Sequence, residues 1–171
     1  MADAPPGVNP RRTSTGQTLL ALGAAAAGTF REGRDDMSMV RFDLPTPEGD
    51  TIAFWEATKE ERLLMKHCLD CHAYSYYPRP FCPKCWSERV EWYQASGEGT
   101  LYTWSVIYNN DMPPFRDRVP YVAAIVDLAE GPRMMTNVVD CPFEELQVGM
   151  PLKVTFQPIS DEFTIPVFVR A

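Results

Sequence analysis

The stretch that decides the fold runs from residue 68 to residue 85 and contains Cys68-Leu-Asp-Cys71 and Cys82-Pro-Lys-Cys85, separated by ten residues. Two residues between paired cysteines allow a tight turn that places both sulfur atoms on one side of a metal ion. The ten-residue gap is long enough to bring the second turn back to face the first. The spacing therefore predicts one zinc ion held by four thiolates. Because such a site has no open position for water or substrate, we expect a structural zinc.

Other interpretations of these cysteines are weaker. Two disulfides would suit a secreted chain, but they would leave Cys141 unpaired. A thioredoxin-like redox motif uses one Cys-x-x-Cys pair that opens a helix, not two facing pairs. His67 and His72 flank the first turn and could replace a cysteine ligand. Since four cysteines already form a complete set, we expect both histidines to be ordinary surface residues.

Composition and charge narrow the classes of function. The 171 residues are 45% hydrophobic and 12% aromatic, which is enough for one domain with a core plus a small zinc module. The net charge of −7 argues against nucleic acid as a partner, because binding phosphates needs a basic surface. No apolar run reaches the roughly 18 to 20 residues that span a bilayer, so no membrane partner is expected. Thiolate ligands favour a reducing compartment, and we expect a cytoplasmic protein.

Residues 1–50 are predicted to be a flexible or partner-docking arm. Residues 1–16 are polar and rich in Pro, Gly, Ser and Thr, whereas residues 17–27 have helical propensity. An alternative is an export signal, since Arg11-Arg12 precede an apolar stretch in the manner of a twin-arginine leader. The stretch is rich in alanine and zinc thiolates suit the cytoplasm, so we favour the arm.

Residues 51–95 are predicted to form a helix followed by the zinc ribbon. Asp50 or Thr51 can cap a helix over residues 52–62. Phe54 and Trp55 in this helix have two interpretations. They either pack on their own domain or anchor on another subunit, where exposed aromatic side chains on a short helix would be natural hot spots.

Residues 96–171 are predicted to form a five-stranded OB-type barrel, so that the chain is mainly β. The alternation of β-forming residues predicts strands at 100–108, 121–128, 134–139, 152–157 and 165–170. A long first strand kinked at glycines, and one helical turn before the fourth strand, fit this barrel. Tyr102, Trp104 and Tyr108 recur at a period of two along the first strand, and we expect them to fill the barrel interior.

Several motifs, taken in order, resemble a known family. The aromatic pair of the helix and the two cysteine pairs are followed by Ser96-Gly-Glu-Gly99-Thr100, Pro120-Tyr121-Val122 and Val148-Gly149-Met150-Pro151. This series is similar to the bacterial and archaeal zinc-ribbon/OB-fold proteins, built on a domain of unknown function, that accompany thiolases and thiolase-like aldolases. The resemblance covers about residues 52–171.

The resemblance implies a non-catalytic accessory subunit. In such complexes a thiolase-like partner supplies the catalytic cysteine or tyrosine and makes or breaks a carbon–carbon bond of an acyl-CoA. The ribbon/OB subunit docks beside the mouth of the partner's active site and helps to bind the acyl-CoA. Implied ligands are therefore structural zinc and a coenzyme A thioester. The implied pathway is of the β-oxidation type, for example degradation of aromatic or steroid-derived acids.

The residues themselves also argue against an active site in this chain. The sequence has no nucleophile elbow and no Gly-rich phosphate loop. Cys141 has no histidine downstream that could activate it, so we expect a buried or half-buried thiol. Two alternatives to the accessory subunit are a free-standing acyl-CoA-binding protein and, against the charge, a nucleic-acid-binding OB-fold protein.

The loop at residues 109–120 is long for a connection between two strands, and long loops are usually functional or disordered. It carries Phe115, Arg116 and Arg118 in an otherwise acidic chain. An aromatic ring can cover an acyl chain, and arginines can bind the phosphates of CoA. We therefore predict acyl-CoA or partner contacts here. The alternative is a solvated loop whose arginines pair with Asp111 and Asp117.

Overall fold

The computed structural model describes residues 43–171, so the predictions for the arm fall outside the described residues except for irregular chain at 43–50. The elements in chain order are helix α1 (Ile52–Lys59), β1 (Leu64–Cys68), β2 (Tyr74–Ser75), β3 (Val90–Gln94), β4 (Glu98–Ile107), a 3-10 helix (Phe115–Arg118), β5 (Tyr121–Leu128), β6 (Arg133–Val138), a second 3-10 helix (Phe143–Glu145), β7 (Pro151–Pro158) and β8 (Thr164–Arg170). The predicted order of helix, ribbon and barrel is confirmed.

Helix α1 ends three residues earlier than predicted. Glu61 adopts a left-handed backbone with φ of 57°. The amide of Arg62 donates to the carbonyl of Ala57 at 2.9 Å, and the amide of Glu61 donates to Thr58 at 3.2 Å. This pair of hydrogen bonds is a Schellman motif, which usually requires glycine at the left-handed position. The end of the helix could not be predicted from the sequence, because glutamate occupies the position where glycine usually marks a helix C-terminus.

Phe54 lies in the core of the chain. Its side chain is fully buried, and its ring packs against Trp55, Tyr76 and Tyr77 with centroid distances between 5.1 and 5.9 Å. A side chain that is fully buried within its own chain cannot contact another subunit. Of the two interpretations of this helix, partner contact through Phe54 is therefore wrong.

The ribbon is a three-stranded antiparallel sheet in the order β2-β1-β3. Strand β1 pairs with β3 from Leu64 opposite Gln94 to Cys68 opposite Val90. Met65 in β1 is fully buried and belongs to the same core as the inward side chains of the barrel. The ribbon is thus anchored at its base by apolar packing, and the cysteine turns lie at its far end. The division of the chain at residues 95 and 96 remains a prediction.

The barrel is closed in the order β4-β5-β6-β8-β7. Counted along the chain, its strands follow one another as first, second, third, fifth and fourth, which is the OB arrangement. Strand β5 shows why the pattern was readable from sequence. Its buried side chains are Val122, Ala124, Val126 and Leu128, in strict alternation with less buried ones.

The seam between β6 and β8 is the weakest join in the barrel. These two strands are parallel and share a single register pair, Val138 opposite Phe168. The amide of Val139 donates to the carbonyl of Phe168 at 2.9 Å, and the hydroxyl of Thr136 donates to the carbonyl of Pro166 at 3.0 Å. The proline in the last strand lies outside the register pair, where its missing amide is tolerated.

A bulge in β4 corrects the prediction for the aromatic residues of this strand. The register with β5 shifts between Leu101 and Thr103, so that Leu101 stays inside and Tyr102 faces outward. Beyond the bulge, Trp104 pairs with Ala124 and packs on the core as expected. An inserted residue reverses the alternation of side chains, and this is why a simple period of two fails.

The two exposed tyrosines have different surroundings. Tyr102 is 43% exposed, and the guanidinium of Arg133 lies 3.5 Å from the centre of its ring. Arg133 in turn donates to Asp127 at 2.6 Å. Tyr108 follows the end of β4 and is 70% exposed. Neither residue fills the barrel.

Among residues 43–171, no helix has the length and apolar character needed to cross a membrane.

The buried position of Phe54 leads to a prediction about stability. Phe54→Ala should lower the free energy of unfolding of the isolated chain by about 3–5 kcal/mol, because it removes a fully buried ring and leaves a cavity. Denaturant unfolding followed by circular dichroism measures this loss. Ile52→Ala in the same helix is the matched control, since Ile52 is 46% exposed; it should change the free energy by less than about 0.5 kcal/mol. Equal effects of the two substitutions would contradict the described packing.

Candidate functional site: a four-cysteine centre and a cavity at the barrel end

The four predicted zinc ligands come together in the structure. All four sulfur atoms lie within 4.8 Å of one another. The pairs Cys68–Cys85 and Cys71–Cys82 each have a sulfur–sulfur distance of 3.6 Å. Zinc–sulfur bonds of about 2.3 Å in a regular tetrahedron require sulfur atoms about 3.8 Å apart. None of these cysteines forms a disulfide. The donor set therefore fits a closed, structural zinc site.

Backbone amides prepare the first cysteine of each pair for metal binding. The amide of Cys71 donates to the sulfur of Cys68 and lowers the pKa of this thiol to about 6, against the opposing effect of burial. The amide of Cys85 likewise lowers the pKa of Cys82, and the amide of Lys84 lies 3.4 Å from the same sulfur. Hydrogen bonds to a thiolate favour its charged form. The turns thus stabilise the negative charge that a zinc ligand carries.

The pKa of the fourth thiol, Cys85, is shifted in the opposite direction. The amide of Ser87 acts to lower the pKa of Cys85, but the neighbouring thiol of Cys71 and burial raise it to about 12. Crowded thiols cannot all lose their protons unless a positive charge is present. Zinc binding must therefore displace protons from this cluster.

Polar contacts join the two cysteine turns. Arg89 donates to Asp70 at 2.7 Å, and the hydroxyl of Ser87 donates to the same carboxylate. The amide of Leu69 also donates to the carbonyl of Arg89 at 2.9 Å. These contacts hold the turns in the facing arrangement that the sulfur atoms require.

The two histidines do not join the cluster. His67 Nδ1 lies 3.0 Å from a carboxylate oxygen of Glu91, and its ring stacks on His72 and on Tyr74. The described group of possible metal ligands contains the four cysteines alone. His67 nevertheless packs more closely than the ordinary surface residue that the sequence predicted.

The predicted contact loop borders a cavity of about 460 Å³ at one end of the barrel. Phe115 and Arg118 line this cavity. The arginine lies over the ring of Phe115, 5.9 Å from its centre, and that ring is 6.4 Å from the ring of Tyr121. Arg116 does not line the cavity and instead faces Asp117 at 3.6 Å. The solvated alternative therefore holds for Arg116, whereas Phe115 and Arg118 lie at a concave surface.

Other cavity residues were not singled out as contacts from the sequence. The wall includes Tyr121, Asn137, Cys141, Phe143 and Ile165. They come from separate strands and from the second 3-10 helix, so no local motif joins them. The only feature of the sequence that could have indicated this wall is Phe143, an aromatic residue that follows Cys141-Pro142 in the helical turn predicted before the fourth strand.

Trp55 lies in a different part of the molecule from this cavity lining. Its indole nitrogen donates to the hydroxyl of Tyr77 at 3.0 Å, and its ring meets Phe163 edge-on at 5.7 Å. It lines a groove of about 420 Å³ together with Ile52 and Glu162. Trp55 is half-buried and remains a candidate for partner contact.

Cys141 is half-buried, as predicted. It packs against the core, and its sulfur lies 3.6 Å from the carbonyl of Pro142. Both histidines of the chain belong to the ribbon, next to the cysteine turns. No histidine therefore stands beside this thiol within the described chain to activate it.

The zinc assignment is tested by removing one ligand. Cys82→Ser should reduce the zinc content from one ion per chain to a small fraction and should unfold the ribbon, because metal binding stabilises a module with little core. Elemental analysis and thermal unfolding measure both effects. Cys141→Ser is the control and should keep its zinc. Gently purified wild-type protein without zinc, or an unchanged fold in Cys82→Ser, would sink the assignment.

The sequence matches two family models. Residues 55–91 match the ChsH2 rubredoxin-like zinc ribbon domain, and residues 92–157 match the ChsH2 C-terminal OB-fold domain. The chain is 37% identical over 117 residues to a probable enoyl-CoA hydratase alpha subunit from Thermomonospora curvata. This match covers 68% of the chain and 36% of the relative, so the chain spans about a third of that protein's length.

Two further similarities cover nearly the full length of the other protein. A DUF35 domain-containing scaffold protein from Methanothermobacter thermautotrophicus is 31% identical over 115 residues, which are 66% of this chain and 86% of the relative. A chain of a solved structure described as an Ltp2-ChsH2(DUF35) aldolase superposes with a TM-score of 0.67. It is 33% identical, and the match covers 74% of this chain and 98% of that one. The chain described here thus belongs to the DUF35 family, with a zinc ribbon and an OB-fold barrel of the ChsH2 type.

Proposed function

We propose that this chain is a non-catalytic accessory subunit of a complex that acts on an acyl-CoA thioester. A thiolase-like catalytic subunit would supply the reacting groups and make or break a carbon–carbon bond. The observation that carries this proposal is the match to 98% of a chain from a structure described as an Ltp2-ChsH2(DUF35) aldolase, at 33% identity. Similarity along a whole chain supports a similar role in a complex more strongly than a shared fold does.

The chemistry of the described residues supports an accessory role. The four-cysteine cluster is closed, so it could organise the ribbon but could not activate water or a carbonyl group. Cys141 lies in a cavity wall that contains no histidine to activate it. Cysteine ligands of this kind persist in a reducing compartment, which supports the cytoplasm as the place of action.

The cavity at the barrel end is our candidate for contact with the acyl-CoA. Its volume of about 460 Å³ falls in the range of small-molecule sites. The rings of Phe115, Tyr121 and Phe143 offer an apolar wall for an acyl group, such as one derived from an aromatic or steroid acid. Arg118, at the wall of this cavity, would bind a phosphate group of CoA by charge-assisted hydrogen bonds.

A hydratase complex is the second candidate. It is favoured by the 37% identity to a probable enoyl-CoA hydratase alpha subunit. In that case the accessory role and the acyl-CoA would be the same, but the partner would add water to a double bond. The reaction of the purified complex separates the two candidates.

Two other functions are less well supported. A free-standing acyl-CoA-binding protein would bind its ligand without a partner, and purification from the native cell tests this directly. The exposed Tyr102 and Tyr108 leave room for stacking on bases, contrary to our expectation that both are interior. Tyr102 is covered by Arg133, however, and the net charge of −7 opposes binding to phosphates.

The proposed division of labour leads to a prediction about activity. The isolated chain should not turn over an acyl-CoA, whereas the complex purified through a tag on this chain should do so. Identification of the co-purified subunit by mass spectrometry, followed by assays of each component alone and mixed, measures this. Turnover by the single chain that disappears in Cys141→Ala would prove the proposal wrong.

The proposed acyl-CoA contact leads to a second prediction. Replacing Phe115, Arg116 and Arg118 together by alanine should weaken acyl-CoA binding to the complex by about tenfold or more, because the apolar contact of Phe115 and the cation of Arg118 are lost from the cavity wall. Calorimetric titration with the acyl-CoA substrate measures this. Zinc content and unfolding temperature should stay unchanged. Lys153→Ala, which removes an exposed cation from β7, is the control. If the triple variant binds the acyl-CoA with wild-type affinity, the loop only connects two strands and does not contact the acyl-CoA.

A further inference from the structure

The residue after each cysteine turn has an unusual backbone conformation. His72 and Trp86 directly follow the two Cys-x-x-Cys pairs, and their φ angles are 58° and 64°. This left-handed region suits glycine, and a bulky side chain is a rare occupant. The geometry of the turn therefore calls for glycine at residue 86, yet the sequence places there the largest side chain of all.

Burial does not explain the tryptophan. The side chain of Trp86 is 73% exposed. Its ring stacks on Phe81, nearly parallel at 16°, with 5.3 Å between the ring centres. This contact holds the indole in one orientation and leaves its other face open. Apart from the contact with Phe81, packing within the chain does not explain why a strained position carries an exposed indole, and this points to contact with another molecule.

The segment that leads to Trp86 is apolar and basic, whereas Glu88 follows it and Asp70 accepts a hydrogen bond from Ser87. Pro80 and Pro83 are exposed beside it, and residues 78–86 contain Arg79 and Lys84 but no Asp or Glu. Within the described chain neither cation forms an ion pair with a carboxylate. We call the surface formed by Arg79, Phe81, Lys84 and Trp86 the ribbon tip. It carries two positive charges in a chain whose net charge is −7.

We propose that the ribbon tip docks on the catalytic subunit of the complex, with Trp86 inserted in an apolar pocket whose rim is acidic. This inference rests on the function proposed above and identifies the surface that meets the partner. A pre-ordered tryptophan loses little conformational entropy on binding, which is why such residues dominate the energy of interfaces. The two cations fit an acidic rim and would fix the orientation of docking.

Charge distinguishes a protein partner from a nucleic acid or an anionic membrane. Both of these are extended polyanions, and a chain of net charge −7 is repelled along their whole length. An acidic rim on a protein is local. Because the Debye length is about 8 Å at physiological salt, the rim acts mainly on the charges of residues 68–89, where the basic Arg79, Lys84 and Arg89 outnumber the acidic Asp70 and Glu88. The observations therefore favour a protein surface.

The substitution Trp86→Gly tests this proposal with little risk to folding. Glycine relieves the left-handed backbone, so zinc content and unfolding temperature should equal those of the wild type or exceed them. The dissociation constant for the catalytic subunit should nevertheless rise by at least about tenfold. The probe is the subunit that co-purifies with the wild-type chain, identified by mass spectrometry, produced separately and titrated by calorimetry. His72→Gly makes the same backbone change in the other turn and should bind within about twofold of the wild type.

Reversing a charge on the ribbon tip provides an independent test of the docking proposal. Lys84→Glu should weaken docking and reduce its dependence on salt, whereas Lys153→Glu on the barrel should not. Wild-type affinity of both Trp86→Gly and Lys84→Glu would overturn the ribbon tip as a docking surface while leaving the accessory role intact. A wild-type chain that forms no complex with any catalytic subunit would overturn both proposals. Loss of binding to phosphatidylserine vesicles or single-stranded DNA in Trp86→Gly, with unchanged subunit affinity, would assign the tip to a polyanion instead.

Discussion

One apolar core holds helix α1, the base of the zinc ribbon and the barrel against one another. Phe54 and Met65 are fully buried in the same cluster as Leu101 and Phe168 of the barrel. A ribbon of this size cannot bury a core of its own, so it depends on this packing at one end and on its four thiols at the other. The cysteine turns and the barrel end, where we propose contacts with other molecules, are therefore joined by one continuous core.

The sequence predicted those features whose cause is local. Cysteine spacing revealed the ligand set, and the alternation along Tyr121–Leu128 revealed a strand with one buried face, because neighbouring residues alone determine both patterns. The family resemblance agreed with this reading. Departures arose where one residue acts in an unusual position. Glu61 ends the helix where glycine is expected, and the bulge beside Tyr102 turns this residue outward.

The candidate sites were harder to predict because they depend on residues that are distant from one another in the sequence. Phe115 and Arg118 came from a long loop, but the wall behind them is assembled from several strands that only the closed barrel brings together. Trp86 was overlooked because its sequence neighbours are zinc ligands. The argument for a contact at Trp86 depends on the φ angle of its backbone and on the exposed fraction of its side chain, and the order of residues alone reveals neither.

Because β6 and β8 are joined at a weak seam, the strands that form the wall of the cavity are not held together equally firmly. Asn137 and Val139 line the cavity on one side of the seam and Ile165 lines it on the other, close to the single register pair. On its far side, β8 is tied to β7 by a ladder of seven pairs. Strands joined by few hydrogen bonds separate at a lower free energy than strands joined by many. Separating β6 from β8 would therefore cost less free energy than separating β8 from β7, so the two strands that line this cavity differ in how firmly they are held.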